Sequence, residues 1–263
     1  RRSSDLSRSG VHLCRIFIED VFFGWEPVAA GEDMHAEANW KWISLVVPIL
    51  NESYLVRPFL RHLQPLREQG VEIVLCDGGS TDGTRKLAES RTDVLVSSPR
   101  GRAMQMNTGA RVASGEVLLF LHVDTLLPRN ALREVSRSVQ KGYGWGRFDV
   151  RMSGRGARFR LIEALMNRRS RLTGIATGDQ ALFLTRELFR NVGGFPEIPL
   201  MEDVEMSRRL KRHGAPACLK SRVLTSSRRW EQKGVFRTVL LMWSLRAAYA
   251  LGVDPARLAR LYR

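Results

Sequence analysis

Four apolar, β-rich runs separated by helix-compatible stretches dominate the first half of the sequence. The runs cover residues 43–49, 71–76, 93–97 and 117–123, and the stretches between them are about 54–69, 82–90 and 102–113. Near-continuous apolar strands that alternate with helices are typical of a parallel sheet covered on both faces. This pattern predicts an α/β fold with a mostly parallel central sheet flanked by helices.

Three of the four runs end in residues that can bind ligands. Asn51 and Glu52 come after the first run, Asp77 after the second, and Asp124 at the end of the fourth. Ligands of open α/β sheets bind outside the carboxyl ends of the strands. We therefore expect these side chains to share one edge of the sheet.

The segment DGGSTDGT, which begins at Asp77, has two interpretations. As a strand-to-helix turn, its glycines supply positive φ, and Ser80 or Asp82 caps the next helix. As a binding loop, it offers the Asp77 carboxylate to the base or ribose of a nucleotide. It is not a phosphate-cradling P-loop, because the GxxxxGK[ST] pattern is absent.

Asp124 ends a buried run, where an ionised carboxylate is costly unless it is paired or bound to a metal. A helix cap or a salt bridge to an arginine is one interpretation. The other is a ligand for Mg²⁺ or Mn²⁺, which prefer oxygen ligands. His122, two residues earlier on the same side, is a second candidate ligand, although a structural role is more common for a single histidine.

Three further segments combine charge with helical spacing. Acids at Glu202, Asp203 and Glu205 precede bases at 208–212, which matches a helix dipole or presents a general base. Arg102 and Asn107 follow Gly101 either on a surface helix whose methionines pack inward or at a loop-to-helix start suited to a diphosphate. Residues 227–230, SRRW, form either a solvated basic run or a phosphate clamp with an aromatic platform.

The second half is more mixed. Residues 145–151 and 180–185 are predicted strands, and 161–171 and 204–213 are predicted helices. In the tail, apolar residues recur at helical spacing, and we expect this stripe to be buried by packing. Asp254 and Pro255 then open a last short helix as its cap and first residue. The stripe consists of Phe236, Val239, Leu240, Trp243, Ala247, Ala250 and Leu251.

Charge and cysteine content limit the partners and the compartment. Lys and Arg number 42 and Asp and Glu 27, a net charge of +15 that favours an anionic partner such as nucleic acid, lipid head groups or phosphorylated molecules. Three distant cysteines fit a reducing compartment better than a disulfide scaffold. No apolar run approaches the roughly 18–20 residues that span a bilayer. Residues 1–40 carry no sustained pattern, and we interpret them as a poorly ordered extension.

The order of the motifs resembles that of family 2 glycosyltransferases of the GT-A fold. The resemblance covers about residues 43–230 and includes PILNE from Pro48, the Asp77 loop, His122-Val123-Asp124, Gly193-Gly194-Phe195 and Glu202-Asp203. Wider stretches, such as TGDQ from Thr177 and SRRWE from Ser227, resemble the bacterial arsenosugar-biosynthesis-type subgroup. Two positions depart from the family pattern: His122 replaces the first Asp of the DxD motif, and Gly78 replaces the second Asp of a pair.

This resemblance implies inverting transfer of a sugar from a nucleotide-diphosphate donor to an acceptor hydroxyl. It implies that Asp203 is the catalytic base and that Asp124 binds a divalent metal, Mg²⁺ or Mn²⁺. Asp77 would contact the nucleoside. The full set of residues implied to bind the nucleotide sugar is Pro48, Asn51, Glu52, Asp77, Arg102, Asn107, Glu202, Arg229 and Trp230.

By this interpretation residues 41–230 form the GT-A domain and residues 231–263 a basic amphipathic helical tail. The tail could rest on an anionic membrane, which would suit a lipid-linked acceptor in a cytoplasmic, membrane-associated enzyme. A non-catalytic protein that holds a nucleotide or polyanion in the same pocket is the alternative. A nucleic-acid binder ranks last, since no zinc or helix-turn-helix pattern is present.

Overall fold

The computed structural model describes residues 39–262, so nearly all of the predicted N-terminal extension lies outside the described residues. Within the described part, eight strands form one sheet. The strands are β1 (Ile43–Ile49), β2 (Glu72–Asp77), β3 (Val94–Ser97), β4 (Val117–Phe120), β5 (Thr125–Leu126), β6 (Trp145–Met152), β7 (Phe183–Thr185) and β8 (Ala217–Thr225).

Ten α-helices connect and flank these strands in residues 39–262. They are α1 (Ser53–Glu68), α2 (Thr84–Ala88), α3 (Arg102–Val112), α4 (Ala131–Gln140), α5 (Ala157–Thr173), α6 (Arg186–Asn191), α7 (Glu202–Lys211), α8 (Arg228–Lys233), α9 (Val235–Ala250) and α10 (Pro255–Tyr262).

The sheet is mixed but mostly parallel. Its strand order is β3-β2-β1-β4-β7-β6-β8-β5. The first four strands in this order run parallel to one another, and β6 runs parallel to β8. Strand β7 is antiparallel to both β4 and β6, and β5 is antiparallel to β8. The predicted α/β class, with a mostly parallel sheet, is confirmed.

Apolar side chains from the strands fill two cores, one on each face of the sheet. On β1, Leu45 and Val47 point to the face covered by α1 and α4, while Val46 points to the face covered by α3, α6 and α7. All three are fully buried. Burial on both faces explains why these strands are apolar throughout.

The fourth predicted strand is shorter than expected, which changes the setting of Asp124. Strand β4 ends at Phe120, and the N–H of Thr125 donates to the carbonyl oxygen of His122 at 3.0 Å. His122 and Asp124 therefore lie in a turn between β4 and β5. The turn carries both side chains beyond the carboxyl end of the sheet.

Strand β8 was not predicted from the sequence, although its nine residues make it the longest strand in residues 39–262. Lys220 and Arg222 interrupt its apolar pattern. Its pairing with β6 also shifts register between Phe148 and Asp149, as at a β-bulge. An irregular strand of this kind has no clean two-residue period to recognise.

The tail packs on the rest of the protein through a different face from the predicted one. Leu245 of α9 and Leu258 of α10 are buried against Leu200 and Val204. The predicted stripe instead contains Phe236, which is 90% exposed, and Leu240, Trp243 and Leu251 are also exposed. Ala247 and Ala250 are exposed as well, so the expectation that this stripe is buried is wrong for six of its seven residues.

The last helix begins at the predicted residues. Asp254 caps α10 as expected, because its Oδ1 accepts the N–H of Ala256 at 2.9 Å. The boundary between the GT-A domain and the tail stays a prediction, and residue 230, at which it was placed, lies within α8. In the described residues, no helix combines the length and hydrophobicity that crossing a bilayer requires.

Candidate active site

The site lies outside the carboxyl ends of β1, β2 and β4. Asp77 is the last residue of β2, and Ile49 of β1 is its partner in the parallel register. Asn51 and Glu52 follow directly on β1. Because neighbouring parallel strands end together, the loops after them meet at one edge of the sheet.

A hydrogen-bond network joins the loop after β1 to the loop after β2. Ser80 donates its hydroxyl to Asp77 Oδ1 at 2.5 Å and accepts the N–H of Asn51 at 2.9 Å. The N–H of Glu52 donates to Thr84 Oγ1 at 2.7 Å. Asn51 has a φ of 54°, a left-handed conformation that asparagine tolerates better than most residues. This network fixes the positions of Asp77 and Glu52 relative to each other.

Asp77 lies at the outer end of this edge, away from the main cavity of the protein, which opens beside Asp203. Its side chain is buried, and Oδ2 is 4.0 Å from Nη1 of Arg85. Pro48 lies within β1 opposite Cys76 of β2. Neither Asp77 nor Pro48 lines the main cavity. These two predicted contacts belong to a flank of the site next to β2.

Three carboxyl groups crowd the centre of the edge. Burial and, to a smaller extent, the nearby Asp124 carboxylate together raise the pKa of Glu52 to about 7. Burial raises the pKa of Asp179 to about 6, again with a contribution from Asp124. The pKa of Asp124 is itself raised by burial, against the opposing effect of Arg102 and Arg228.

This crowding bears on whether a divalent cation fits. No group of three or more His, Cys, Asp or Glu side chains in residues 39–262 forms a complete metal site. Asp124, Glu52 and Asp179 nevertheless supply oxygen donors whose mutual repulsion a cation would relieve. Mg²⁺ and Mn²⁺ commonly combine one or two protein carboxylates with substrate phosphates. The donor set therefore fits a cation shared with a diphosphate.

His122 lies beside this cluster. Burial and, to a smaller extent, the charge of Arg102 together lower its pKa to about 3. Its Nδ1 is 3.9 Å from Asp179 Oδ1. A Cβ at position 178 would come within 2.5 Å of the imidazole Cε1, which explains the glycine there. His122 packs closely against the Gly178–Gln180 turn.

Asp203 joins the cluster through the turn that contains Asp179. It is the second residue of α7, and its Oδ2 accepts the N–H of Gly178 at 3.0 Å. Glu202, one residue earlier, is buried, and burial together with Asp203 raises its pKa to about 7. The turn at Gly178 thus ties Asp203 to Asp179 and His122.

Basic side chains oppose these acids. Arg102, the first residue of α3, lines the cleft. Burial would lower its pKa, but Glu202, the Tyr262 phenol and Asp179 outweigh this effect and raise it. Arg229 of α8 stacks on Tyr262, with its guanidinium carbon 3.8 Å from the ring centroid. The cleft therefore carries paired charges of both signs.

Asn107, which was predicted to bind the nucleotide sugar, contacts the backbone of Phe195. Its Nδ2 donates to the carbonyl oxygen of Phe195 at 2.9 Å, and its Oδ1 accepts the N–H of Phe195 at 2.8 Å. A Cβ at Gly194 would come within 2.8 Å of that Oδ1. Asn107 thus secures the Gly193–Phe195 loop and does not line the main cavity.

The main cavity, which opens beside Asp203, has a volume of about 430 Å³. Helices α5 and α9 form its apolar walls, and Trp230 of α8 contributes an aromatic side. Its polar end contains Arg102, Asp179, Glu202, Asp203 and Tyr262. The predicted residues Arg102, Glu202, Asp203 and Trp230 therefore meet in one cavity.

Sequence reasoning missed three members of the site. Asp179 lies in the TGDQ stretch, where nothing in the local pattern separates it from a turn residue. Tyr262 comes from the last described helix. Arg169 lies on α5, and burial lowers its pKa while Asp203 opposes that shift. Only their position in the fold brings these residues to the cleft.

A mostly parallel sheet flanked by helices, with a cleft at the carboxyl ends of its strands, is the architecture of GT-A glycosyltransferases, which the solved structures described below share. The particular family follows from the sequence, because the model of glycosyl transferase family 2 matches residues 44–192, more than half of the chain. The chain belongs to this family.

Individual relatives are more distant. Glycosyltransferase GlyG of Streptococcus pneumoniae serotype 4 is 31% identical over 106 residues, which cover 38% of this chain and 35% of that protein. The structure of S. aureus TarS 1–349 in complex with UDP has a TM-score of 0.56 and 20% identity over 72% of this chain and 62% of that chain. The chain thus spans less than two thirds of either protein.

A third protein is similar over nearly the whole chain. Mannosyltransferase PcManGT from Pyrobaculum calidifontis, in complex with GDP-Man and Mn²⁺, has a TM-score of 0.56 and 22% identity. The similarity covers 97% of this chain and 74% of that chain. With identities of 20% and 22%, the two solved structures show a shared fold and no more.

Proposed function

We propose that the protein transfers a sugar from a nucleotide-diphosphate sugar to an acceptor hydroxyl with inversion at the anomeric carbon. The observation that carries this proposal is the convergence of Asp124, Asp179, Asp203 and Arg102 at one sheet edge in a family 2 domain. Acids and guanidinium groups in one cleft can receive a proton and neutralise a departing diphosphate. Membership of the arsenosugar-type subgroup remains a finer prediction within this proposal.

The donor would lie across the carboxyl ends of β1, β2 and β4. In this proposal the nucleoside contacts Asp77 and the backbone near Pro48 and Asn51, on the flank next to β2. The diphosphate then reaches Arg102 and Arg229. Guanidinium groups suit this task, because their planar N–H donors match phosphate oxygens.

Asp124 would hold the divalent metal, with Glu52 close by. A bound Mg²⁺ or Mn²⁺ supplies Lewis-acid stabilisation of the diphosphate leaving group. PcManGT, which shares the fold, was solved with GDP-Man and Mn²⁺, and this supports the proposal for a metal and a nucleotide-sugar donor. The crowded, raised-pKa carboxyls around Asp124 support it independently.

Asp203 would act as the general base. The N–H of Gly178 orients its carboxylate, and the cavity between α5 and α9 gives an acceptor access to it. As the acceptor oxygen bonds to the anomeric carbon, Asp203 takes the hydroxyl proton and the nucleoside diphosphate leaves from the opposite face. A single displacement inverts the anomeric centre.

The acceptor and the location belong to the same proposal. We expect a lipid-linked acceptor and peripheral contact with an anionic membrane on the cytoplasmic side. The net charge of +15 and the exposed apolar residues of α9 support this contact. The alternative is a non-catalytic protein that binds a nucleotide or polyanion in the same pocket.

A donor screen tests the proposal. The full chain is incubated with UDP- and GDP-sugars and Mn²⁺ or Mg²⁺, and the released nucleoside diphosphate is measured. We expect one donor class to be consumed in a metal-dependent reaction. Tight nucleotide binding without turnover of any donor, with and without added alcohols, would favour the non-catalytic alternative.

A further inference from the structure

The cavity between α5 and α9 has more apolar surface than a sugar acceptor needs. Ile162, Leu165 and Met166 line it from α5, and Val239, Met242 and Trp243 line it from α9. A sugar or other polar acceptor would leave these side chains in contact with water or with hydroxyl groups. An apolar chain fills such walls favourably, at about 0.8 kcal/mol per buried methylene.

The same two helices also continue this apolar surface to the outside of the protein. Leu172 of α5 is 76% exposed, and Phe236 and Leu240 of α9 are 90% and 70% exposed. Exposed apolar side chains that border a cavity are typical of a ligand or membrane contact. These exposed side chains offer a hydrocarbon chain further apolar contact beside the cavity.

Basic side chains inside the cavity carry hydrogen-bond donors that are not used. Nε and Nη2 of Arg169 and Nε of Arg246 are buried, and they have no hydrogen-bond partner in residues 39–262. Arg168 also lines the cavity. Buried guanidinium N–H groups without partners are costly, so they favour an anionic ligand.

The geometry points to an anionic amphiphile as the acceptor. Its apolar chain would lie between α5 and α9, its anionic group at Arg169 and Arg246, and its hydroxyl at Asp203. This inference rests on the proposed function and assigns the substrate class of the same site. The anionic charge distinguishes this ligand from a neutral long-chain alcohol and from a neutral detergent.

A chain-length series on the full protein tests the assignment. Hexyl and decyl phosphate are titrated below their critical micelle concentrations, with octyl glucoside as the neutral probe, and binding is followed by calorimetry. We expect decyl phosphate to bind at least twentyfold more tightly than hexyl phosphate, because four more methylenes leave water. Equal affinities for the two alkyl phosphates would overturn the assignment.

Matched variants locate the binding. Leu165 and Leu161 lie one turn apart on α5 and are both more than half exposed, but only Leu165 lines the cavity. We expect Leu165→Gln to weaken decyl phosphate binding at least fivefold and Leu161→Gln less than twofold. Arg169→Gln should weaken the binding of decyl phosphate at least fivefold and leave the binding of octyl glucoside unchanged. The control Arg158→Gln, at an exposed position, should change the affinity for neither ligand. Equal effects within either pair would contradict the assignment.

Nucleoside diphosphate binding and donor turnover are measured on the same preparations, which separates the two proposals. Normal nucleotide turnover without chain-length dependence removes only the acceptor assignment. Chain-length-dependent binding of decyl phosphate without turnover of any donor overturns the proposed function, and the acceptor role falls with it.

Discussion

The guanidinium of Arg229 stacks on the ring of Tyr262, with 3.8 Å between its central carbon and the ring centroid, and its Nη1 donates to the phenol oxygen. Arg229 comes from α8 and Tyr262 from the end of α10. The stacking thus holds the last described helix against the cleft. It also fixes the orientation of the Arg229 guanidinium, which is proposed to bind the diphosphate.

Removing the Tyr262 ring should weaken diphosphate binding. We expect Tyr262→Ala to weaken affinity for a nucleoside diphosphate about three- to tenfold, since an Arg–aromatic contact contributes about 0.5–2 kcal/mol. Tyr262→Phe keeps the ring face and should lose less than threefold. Titration of both variants with UDP and GDP checks this, and an unchanged affinity in Tyr262→Ala would show that Arg229 needs no support.

Glu202 should make the protein less stable at higher pH. Its folded pKa is about 7 against an ordinary 4.5, so the folded state keeps a proton that the unfolded chain loses between these values. Stability from this group therefore falls as pH rises from about 4.5 to 7, and the cost is complete by pH 8.

Glu202→Gln removes this cost because its amide stays neutral. We expect the variant to be about 2 kcal/mol more stable than the natural sequence at pH 8 and to differ little at pH 4.5. Urea unfolding at the two pH values measures the difference, with the exposed Glu197→Gln as control. A variant that is less stable at pH 8 would mean that the Glu202 carboxylate has a strong partner.

Asp124 should carry the metal dependence of nucleotide binding. We expect Mn²⁺ to tighten binding of a nucleoside diphosphate at least tenfold in the natural sequence and less than twofold in Asp124→Asn. Glu187→Gln, an exposed change on α6, should behave like the natural sequence. Calorimetric titrations with and without Mn²⁺ decide this, and identical enhancement in Asp124→Asn would move the metal elsewhere.

The sequence predicted the parallel half of the fold because its strands are buried on both faces and leave continuous apolar runs. It also predicted that polar residues after these strands meet, since parallel strands end together. Strand β8 lacked such a run because Lys220 and Arg222 interrupt it. Its place in the sheet depends on pairing with β6, which local pattern does not encode.

Side-chain roles were less predictable than their positions. Asn107 has the residue type of a diphosphate ligand, yet both of its amide atoms bind the Phe195 backbone 88 residues away. The stripe of α9 has helical spacing, yet α9 packs through Leu245 and leaves Phe236 and Leu240 exposed. Periodicity identifies an amphipathic helix without stating which partner covers it.

Asp203→Asn tests the central claim most directly. The substituted amide would retain the shape of the carboxylate without its basicity, so we expect the transfer rate to fall about 10²–10⁴-fold while affinity for the nucleoside diphosphate changes less than threefold. Glu205→Gln, on the same helix but outside the cavity, should transfer at the natural rate. Transfer by Asp203→Asn at a rate close to that of the natural sequence would contradict the assignment of the base and the proposed mechanism.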